Sequence, residues 1–231
     1  MSTHALVLRP QPGASATVAR LTALDVPTRC CPLFVASPVA WRVPDPLDYD
    51  ALLLTSANAV RHAGPGLRVL AGLPVVAVGE ATAMAARDAG LDVALTGHGG
   101  AVELAAAAGG GGFARLLHLA GRDRVSLPDV DQLAVYASEP SDLDDRVVRG
   151  WAGQVALFHS ARAARRFAEL IDRFGVERGG IDVAAISSAV AEAAGPGWRS
   201  CTAVARPDDA LLAMSARQLI DRSAPPLDKR A

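Results

Sequence analysis

Aromatic side chains make up only 4% of this 231-residue chain. Its cores must therefore be packed mainly with Ala, Val and Leu, which the 51% hydrophobic content can supply. Cysteine is almost as scarce. Cys30, Cys31 and Cys201 form an odd set with one adjacent pair, a poor disulfide framework that fits a reducing compartment. The adjacent pair is not CxxC, and a buried structural pair is expected. Neither sign of charge dominates: the formal net charge of −1 gives no general attraction to nucleic acid or to an anionic membrane. No apolar run approaches the roughly 20 residues that span a bilayer. The start, MSTHALVLRP, lacks a basic stretch followed by an apolar one, so no signal peptide is expected. A cytoplasmic protein is expected, with no nucleic-acid or membrane partner.

The usual catalytic signatures are missing too. His4, His62, His98, His118 and His159 include no i, i+4 pair and no HExxH, so no metal site is expected and each reads as a surface or satisfied residue. There is no GxSxG nucleophile turn. No GxGxxG follows the first strand, which leaves a dinucleotide unsupported, and no cofactor of any kind is expected. The four glycines at 109–112 lack the Lys-Ser/Thr of a phosphate loop and precede a strand, so they read as a plain flexible connection.

What is present is a pattern stated twice. Residues 52–61 (LLLTSANAVR) and 155–165 (VALFHSARAAR) share an apolar strand, a Ser and an Ala-rich helix start. Residues 75–83 (VVAVGEATA) match 183–191 (VAAISSAVA), and 6–9 (LVLR) match 116–122 (LLHLAGR). Even the connecting segments 33–37 (LFVAS) and 133–138 (LAVYAS) echo each other. These matches recur about a hundred residues apart in one order, which indicates an internal duplication and two similar α/β lobes facing across a cleft. Short apolar strands alternate with helices throughout, so each lobe is expected to be a doubly wound parallel sheet. The tail at 223–231 is polar and Pro-rich and is expected to fray.

In such sheets ligands bind beyond the carboxyl ends of the strands. The residues following the strands include Thr55, Ser56 and Asn58; Gly79 and Thr82; His159, Ser160 and Arg162; Ser187 and Ser188; and Arg9 and Arg122. Each hydroxyl alone also reads as a helix N-cap. Together with free helix N–H groups and two arginines, they form a polar rim suited to carboxylates or phosphates. The acidic residues 142–145 and 208–209 sit near helix starts, where they favour the dipole. With no strong acid–base residue in view, the set suits a binder or an enzyme that acts by positioning.

The order VLRP, TSANAV, AVGEATA, LAGR, VY, FHSARA, AIS and the 197–212 segment ending RPDDALL resembles the uroporphyrinogen-III synthase family over nearly the whole chain. The resemblance implies two α/β domains joined by a pair of extended strands, with the first βα unit grouped with the C-terminal half. Mapped here, one domain is 1–35 plus 137–231 and the other is 38–134. It implies a linear tetrapyrrole substrate, hydroxymethylbilane, closed to uroporphyrinogen III with loss of water and inversion of ring D through a spiro intermediate. No cofactor is implied, and a monomer is expected. Residue by residue, Tyr136 aligns with a recurrent Tyr that would assist departure of the hydroxyl; the alternative is an aromatic packed at the hinge. Ser56, Asn58, Thr82 and Ser160 would bind acetate or propionate groups, and Arg9 and Arg122 would pair with carboxylates. The chain departs from many relatives at 185–191 (AISSAVA), where Ser187 and Ser188 would have to substitute. Two other functions remain open on the residues alone: a two-lobed receptor for a small polyanion, and a nucleotide-dependent transferase.

Overall fold

The computed structural model describes residues 2–97 and 99–223. His98 and the tail beyond 223 lie outside the described residues. The chain opens with β1 (Ala5–Val7), α1 (Gly13–Ala23), β2 (Thr28–Cys30) and β3 (Phe34–Pro38). Next come β4 (Ala51–Leu54), α2 (Ala57–His62), α3 (Gly66–Val69), β5 (Val75–Val78) and α4 (Glu80–Asp88). The middle continues through β6 (Val93–Gly97), α5 (Ala101–Gly110), β7 (Leu116–Gly121) and β8 (Asp131–Pro140). The last third holds α6 (Asp145–Arg149), β9 (Val155–Phe158), α7 (Ala161–Arg173), β10 (Asp182–Ala185), α8 (Ser188–Ala194), β11 (Ser200–Ala203) and α9 (Asp209–Ser223).

These elements divide into two compact units. Unit 1 comprises Met1–Val35 and Pro140–Ala231, and unit 2 is Ala36–Glu139. The sheet of unit 1 runs β11-β10-β9-β1-β2, with every neighbour parallel. In the second sheet the order β6-β5-β4-β7-β8 is parallel as well, with β3 beside β8. Placed side by side, the two orders are the same: β9, β10 and β11 correspond to β4, β5 and β6, and β1 and β2 to β7 and β8. The internal duplication is therefore a duplication of topology. Backbone bonds from Ser141 N–H to Leu33 O at 2.9 Å and from Val39 N–H to Val135 O at 3.1 Å run in opposite chain directions. The β3–β8 contact is thus antiparallel, unlike the other pairings.

Continuous apolar runs make the central strands. β4 (ALLL) and β9 (VALF) are buried at every position, as a parallel strand covered on both faces requires. Alternation along each strand sends successive side chains to opposite layers. In unit 1, Leu6 and Leu8 meet Phe167, Ile171 and Trp151 on one face. Ala5 and Val7 meet Ala14 and Leu21 of α1 and Leu212 and Ala216 of α9 on the other. In unit 2, Leu52 and Leu54 pack on Ala59, Leu67, Ala83 and Ala86, while Ala51 and Leu53 pack on Leu104 and Ala108 of α5. Each fully buried Leu contributes about 1.5–3 kcal/mol. Helices on both faces of each sheet make the doubly wound architecture expected from the sequence.

The longest helix of the β9–β10 crossover shows how sequence sets the packing. α7 buries Ala163, Ala164, Phe167, Ala168, Leu170 and Ile171 along one stripe, begins at the N-cap Ser160, and stops before Gly175, whose φ is +63°. Phe167 stacks on Trp151 with ring centroids 4.9 Å apart and meets Phe158 edge-on at 5.3 Å. Trp198 also approaches Phe167, with centroids 5.8 Å apart, so an aromatic cluster sits in the core of unit 1.

Two local expectations need correction. Cys30 is exposed and Cys31 half-buried, because they lie on and just after β2, which pairs only with β1 at the margin of its sheet. They are not a buried pair. The glycine run is not all connection either. α5 continues through Gly110, and Gly111 serves as its C-cap, since the preceding alanines carry helical bonding forward. No helix among the described residues is long and apolar enough to cross a membrane.

Candidate functional site

The parallel strands of each unit deliver their carboxyl ends to one rim, and each rim has a point where the strand order reverses. In unit 2 the reversal falls between β4 and β7; in unit 1 it falls between β9 and β1. Chains leave such a point to opposite faces of the sheet, opening a crevice between them. Ser56, Arg122, Arg9 and Ser160 follow the strands that flank these two positions, whereas Thr82, Ser187 and Ser188 follow the next strands out and Tyr136 lies on β8.

In unit 2 the turn after β4 places Ser56 as the N-cap of α2, its Oγ accepting the Asn58 N–H at 3.2 Å. Asn58 Oδ1 accepts a bond from Arg61 at 3.3 Å. Thr55, just before, meets the buried His118 of β7, with Oγ1 and Nε2 2.9 Å apart. Burial, helped by the charge of Arg124, pushes the His118 pKa down to about 4, so its imidazole is neutral at pH 7. Its Nδ1 is buried and makes no well-formed hydrogen bond among the described residues, although the Gln132 side chain lies close enough to oppose the shift. The expectation that every histidine is exposed or satisfied holds at only one ring nitrogen of the buried His118, and likewise at only one of His159. One ring nitrogen meets a hydroxyl, and the other is enclosed by the strand layers.

After β5, Gly79 takes φ +76° at the N-cap of α4, a conformation that costs other residues more than glycine. This lets the helix start directly behind the strand. Thr82 lies in the first turn of α4 and is 5% exposed. After β7, Arg122 pairs with Glu139 at 2.6 Å, both side chains more than half exposed. Tyr136 sits opposite Gly121 in the β7–β8 ladder. It is half-buried against the same core as Leu133 and Val135. Its hydroxyl makes no hydrogen bond among the described residues.

In unit 1, Arg9 follows β1 and faces the Asp209 carboxylate at 3.7 Å and the Thr17 hydroxyl at 3.5 Å. Asp209 is a crowded group. Oδ1 accepts from Thr17 at 2.8 Å and lies 2.7 Å from His159 Nε2, while Oδ2 accepts from Arg20 at 2.7 Å. Burial raises the Asp209 pKa, but bonds from His159 and Thr17 and the charges of His159 and Arg20 outweigh it, and the net shift is downward. Burial drives the His159 pKa down against the opposing effect of Asp209. Ser160 caps α7, its Oγ accepting the Ala163 N–H at 3.2 Å. Ser187 caps α8 through the Val190 N–H at 3.4 Å, and Ser188 is exposed as the first residue of that helix.

The sequence-derived residues therefore fall into two sets. Ser56, Asn58, Thr82, Arg122 and Tyr136 belong to unit 2, and Arg9, Ser160, Ser187 and Ser188 to unit 1. Three of the hydroxyls do the capping work that was their alternative reading, and both arginines already hold carboxylates of the protein. Sequence reasoning missed Asp209, His118, His62 and Gly121. Asp208 is the acidic residue that caps α9, accepting from Ala210 N–H at 2.7 Å. Asp209 turns instead to His159. Nothing in the local pattern DDALL separates the two roles.

Residues 15–213 match the family model described as uroporphyrinogen-III synthase HemD. Among solved structures, the uroporphyrinogen-III synthetase of Helicobacter pylori 26695 aligns with 95% of this chain and 100% of its own, at 18% identity and a TM-score of 0.64. A mutant uroporphyrinogen-III synthase of the extreme thermophile Thermus thermophilus aligns with 95% of this chain and 100% of its own, at 14% identity and a TM-score of 0.50. At these identities the structures speak for the fold, and the family model carries the kinship. No curated protein matches the chain.

Proposed function

Because the chain belongs to the uroporphyrinogen-III synthase family, lyases that cyclise hydroxymethylbilane in haem biosynthesis, we propose that Tyr136 assists the loss of water and that both sheet rims bind the substrate's carboxylates. In the reaction a pyrrole nitrogen expels the terminal hydroxyl and leaves an electrophilic azafulvene. The substituted carbon of ring D attacks it to give a spiro intermediate, which fragments and recloses with ring D turned over. Direct closure would give the symmetric isomer, so the catalyst must hold the chain ends in the less accessible geometry. The Tyr136 phenol suits the first step, donating a hydrogen bond to the departing oxygen.

The single observation that carries this reading is the Tyr136 hydroxyl, which makes no hydrogen bond among the described residues and stands beside the β7 end, at the rim where the strand order of unit 2 reverses. The arginines fit as exchangeable donors. Arg122 and Glu139 are exposed, and a pair in that setting is worth about 0–1 kcal/mol, so a substrate carboxylate can displace Glu139 at little cost. Arg9 is the most distant cation around Asp209, which leaves it the one most easily drawn to a ligand. Ser56, Asn58, Thr82, Ser160, Ser187 and Ser188 complete the proposed set, with helix N–H groups beside them. We take 1–35 with 137–231, and 38–134, as the two working domains. The protein is read as a cytoplasmic monomer that binds no nucleic acid. Three free cysteines and the near-neutral charge fit that reading.

The test is incubation of the purified protein with freshly prepared hydroxymethylbilane, followed by chromatographic separation of the isomers. Uroporphyrinogen III in excess over the spontaneous product supports the reading. The symmetric isomer alone, formed at the uncatalysed rate, ends it.

A further inference from the structure

The placement of Tyr136 has a structural origin in β7. The β7–β8 register shifts between Ala120 and Gly121, and this irregularity brings Tyr136 opposite Gly121. Such a shift re-aims side chains at the end of a ladder. A Cβ on Gly121 would lie 2.9 Å from Tyr136 Cζ and 3.1 Å from its hydroxyl oxygen. The tip of the ring therefore occupies the space that any other residue at 121 would fill. A second ring stands nearby: His62, in the last turn of α2, has its centroid 6.0 Å from that of Tyr136, the planes tilted by 36°. No hydrogen bond holds the phenol among the described residues, so its direction is set by shape.

We infer that Gly121 and His62 are positioning residues for Tyr136, the glycine clearing room for the phenol and the imidazole bracing the ring from α2. The inference rests on the reading of Tyr136 as the group that assists loss of water. His62 is suited to packing rather than to carrying charge: burial first, and then the neighbouring Arg61, hold its pKa below the usual histidine value. A neutral ring against a ring gives an oriented contact without drawing the phenolic proton away. The arrangement also links substrate-facing parts of unit 2. His62 ends the helix that Ser56 caps, and Gly121 directly precedes Arg122.

The experiment is a double-mutant cycle on the full chain, with Y136F, H62A, H62F and G121A assayed for kcat, KM and the ratio of the two uroporphyrinogen isomers. H62A is expected to lower kcat by about tenfold with KM little changed, since small misplacements of a reacting group are costly in rate. H62F restores most of the loss, because an aromatic ring again braces Tyr136. In the Y136F background H62A then causes little further loss, the non-additivity expected of residues acting through one group. G121A shows the same signature, which keeps the test decisive should H62A fail to fold. If Y136F is slow but H62A or G121A multiplies that loss undiminished, or leaves the wild-type rate untouched, the positioning role is overturned and the Tyr136 reading survives. If Y136F turns over at the wild-type rate, both fall together.

Discussion

His159 donates its Nε2 hydrogen to Asp209 Oδ1 at 2.7 Å, joining the end of β9 to the first turn of α9. The carboxylate is ionised and accepts only, so the proton must sit on the imidazole nitrogen. Thr17 and Arg20 share the same carboxylate, which ties α1 into the joint. Asp209→Asn places an amide donor against donors. It is expected to destabilise the protein by about 2–4 kcal/mol, the range for breaking a largely buried charged network. Urea denaturation at pH 7 measures it, and a change below about 0.5 kcal/mol, typical of an indifferent surface site, would contradict it.

Acid should expose the cost of burying His118. Its pKa is about 4 in the folded protein against an ordinary 6.5, so the unfolded chain binds a proton between those values and the folded chain does not. Stability therefore falls as pH drops from 6.5 toward 4, by about 3 kcal/mol in all at about 1.4 kcal/mol per pH unit. His159 acts in the same direction, because burial lowers its pKa too. Comparing wild type with His118→Leu at pH 7 and pH 4.5 isolates the first histidine. The variant should lose about 2–3 kcal/mol less over that interval. Parallel losses would rule His118 out as the source.

Capping and binding can be separated at Ser56 and Ser160. Each accepts a helix N–H, so each Ala variant should lose about 1 kcal/mol of stability. If the hydroxyls also hold substrate carboxylates, KM rises severalfold while kcat changes little. A stability loss with unchanged KM would confine them to capping.

Tyr136→Phe removes one oxygen and leaves the packing on Gly121 in place. Turnover is expected to fall by about ten- to a hundredfold, with a smaller change in KM, because the hydroxyl matters chiefly as water departs. Stopped-time assays across a range of substrate concentrations separate the two constants. A larger change in KM than in kcat would make Tyr136 a binding group instead.

Much of the fold could be read before any coordinates. LLLTSANAV and VALFHSARA announced β4–α2 and β9–α7, because buried parallel strands are continuous apolar runs and the Ser that follows is a cap. β2 was not legible. Its three residues, Thr28–Cys30, are half-buried or exposed, and only pairing with β1 makes them a strand. The candidate site was legible where it is local, as at the turns after the strands. It was hidden where it depends on distant partners. His159 and Asp209 lie 50 residues apart, Thr55 and His118 lie 63 apart, and no periodicity in either segment relates them. The shift at Ala120/Gly121 was equally invisible, since LAGR reads as an ordinary strand end.

The bonds at Leu33–Ser141 and Val39–Val135 mean that residues 36–139 depart from and rejoin the rest of the chain at adjoining points. That middle portion is a cassette. Each portion carries its own parallel sheet with helices packed on both faces, so the strand layers of one are complete without a strand lent by the other.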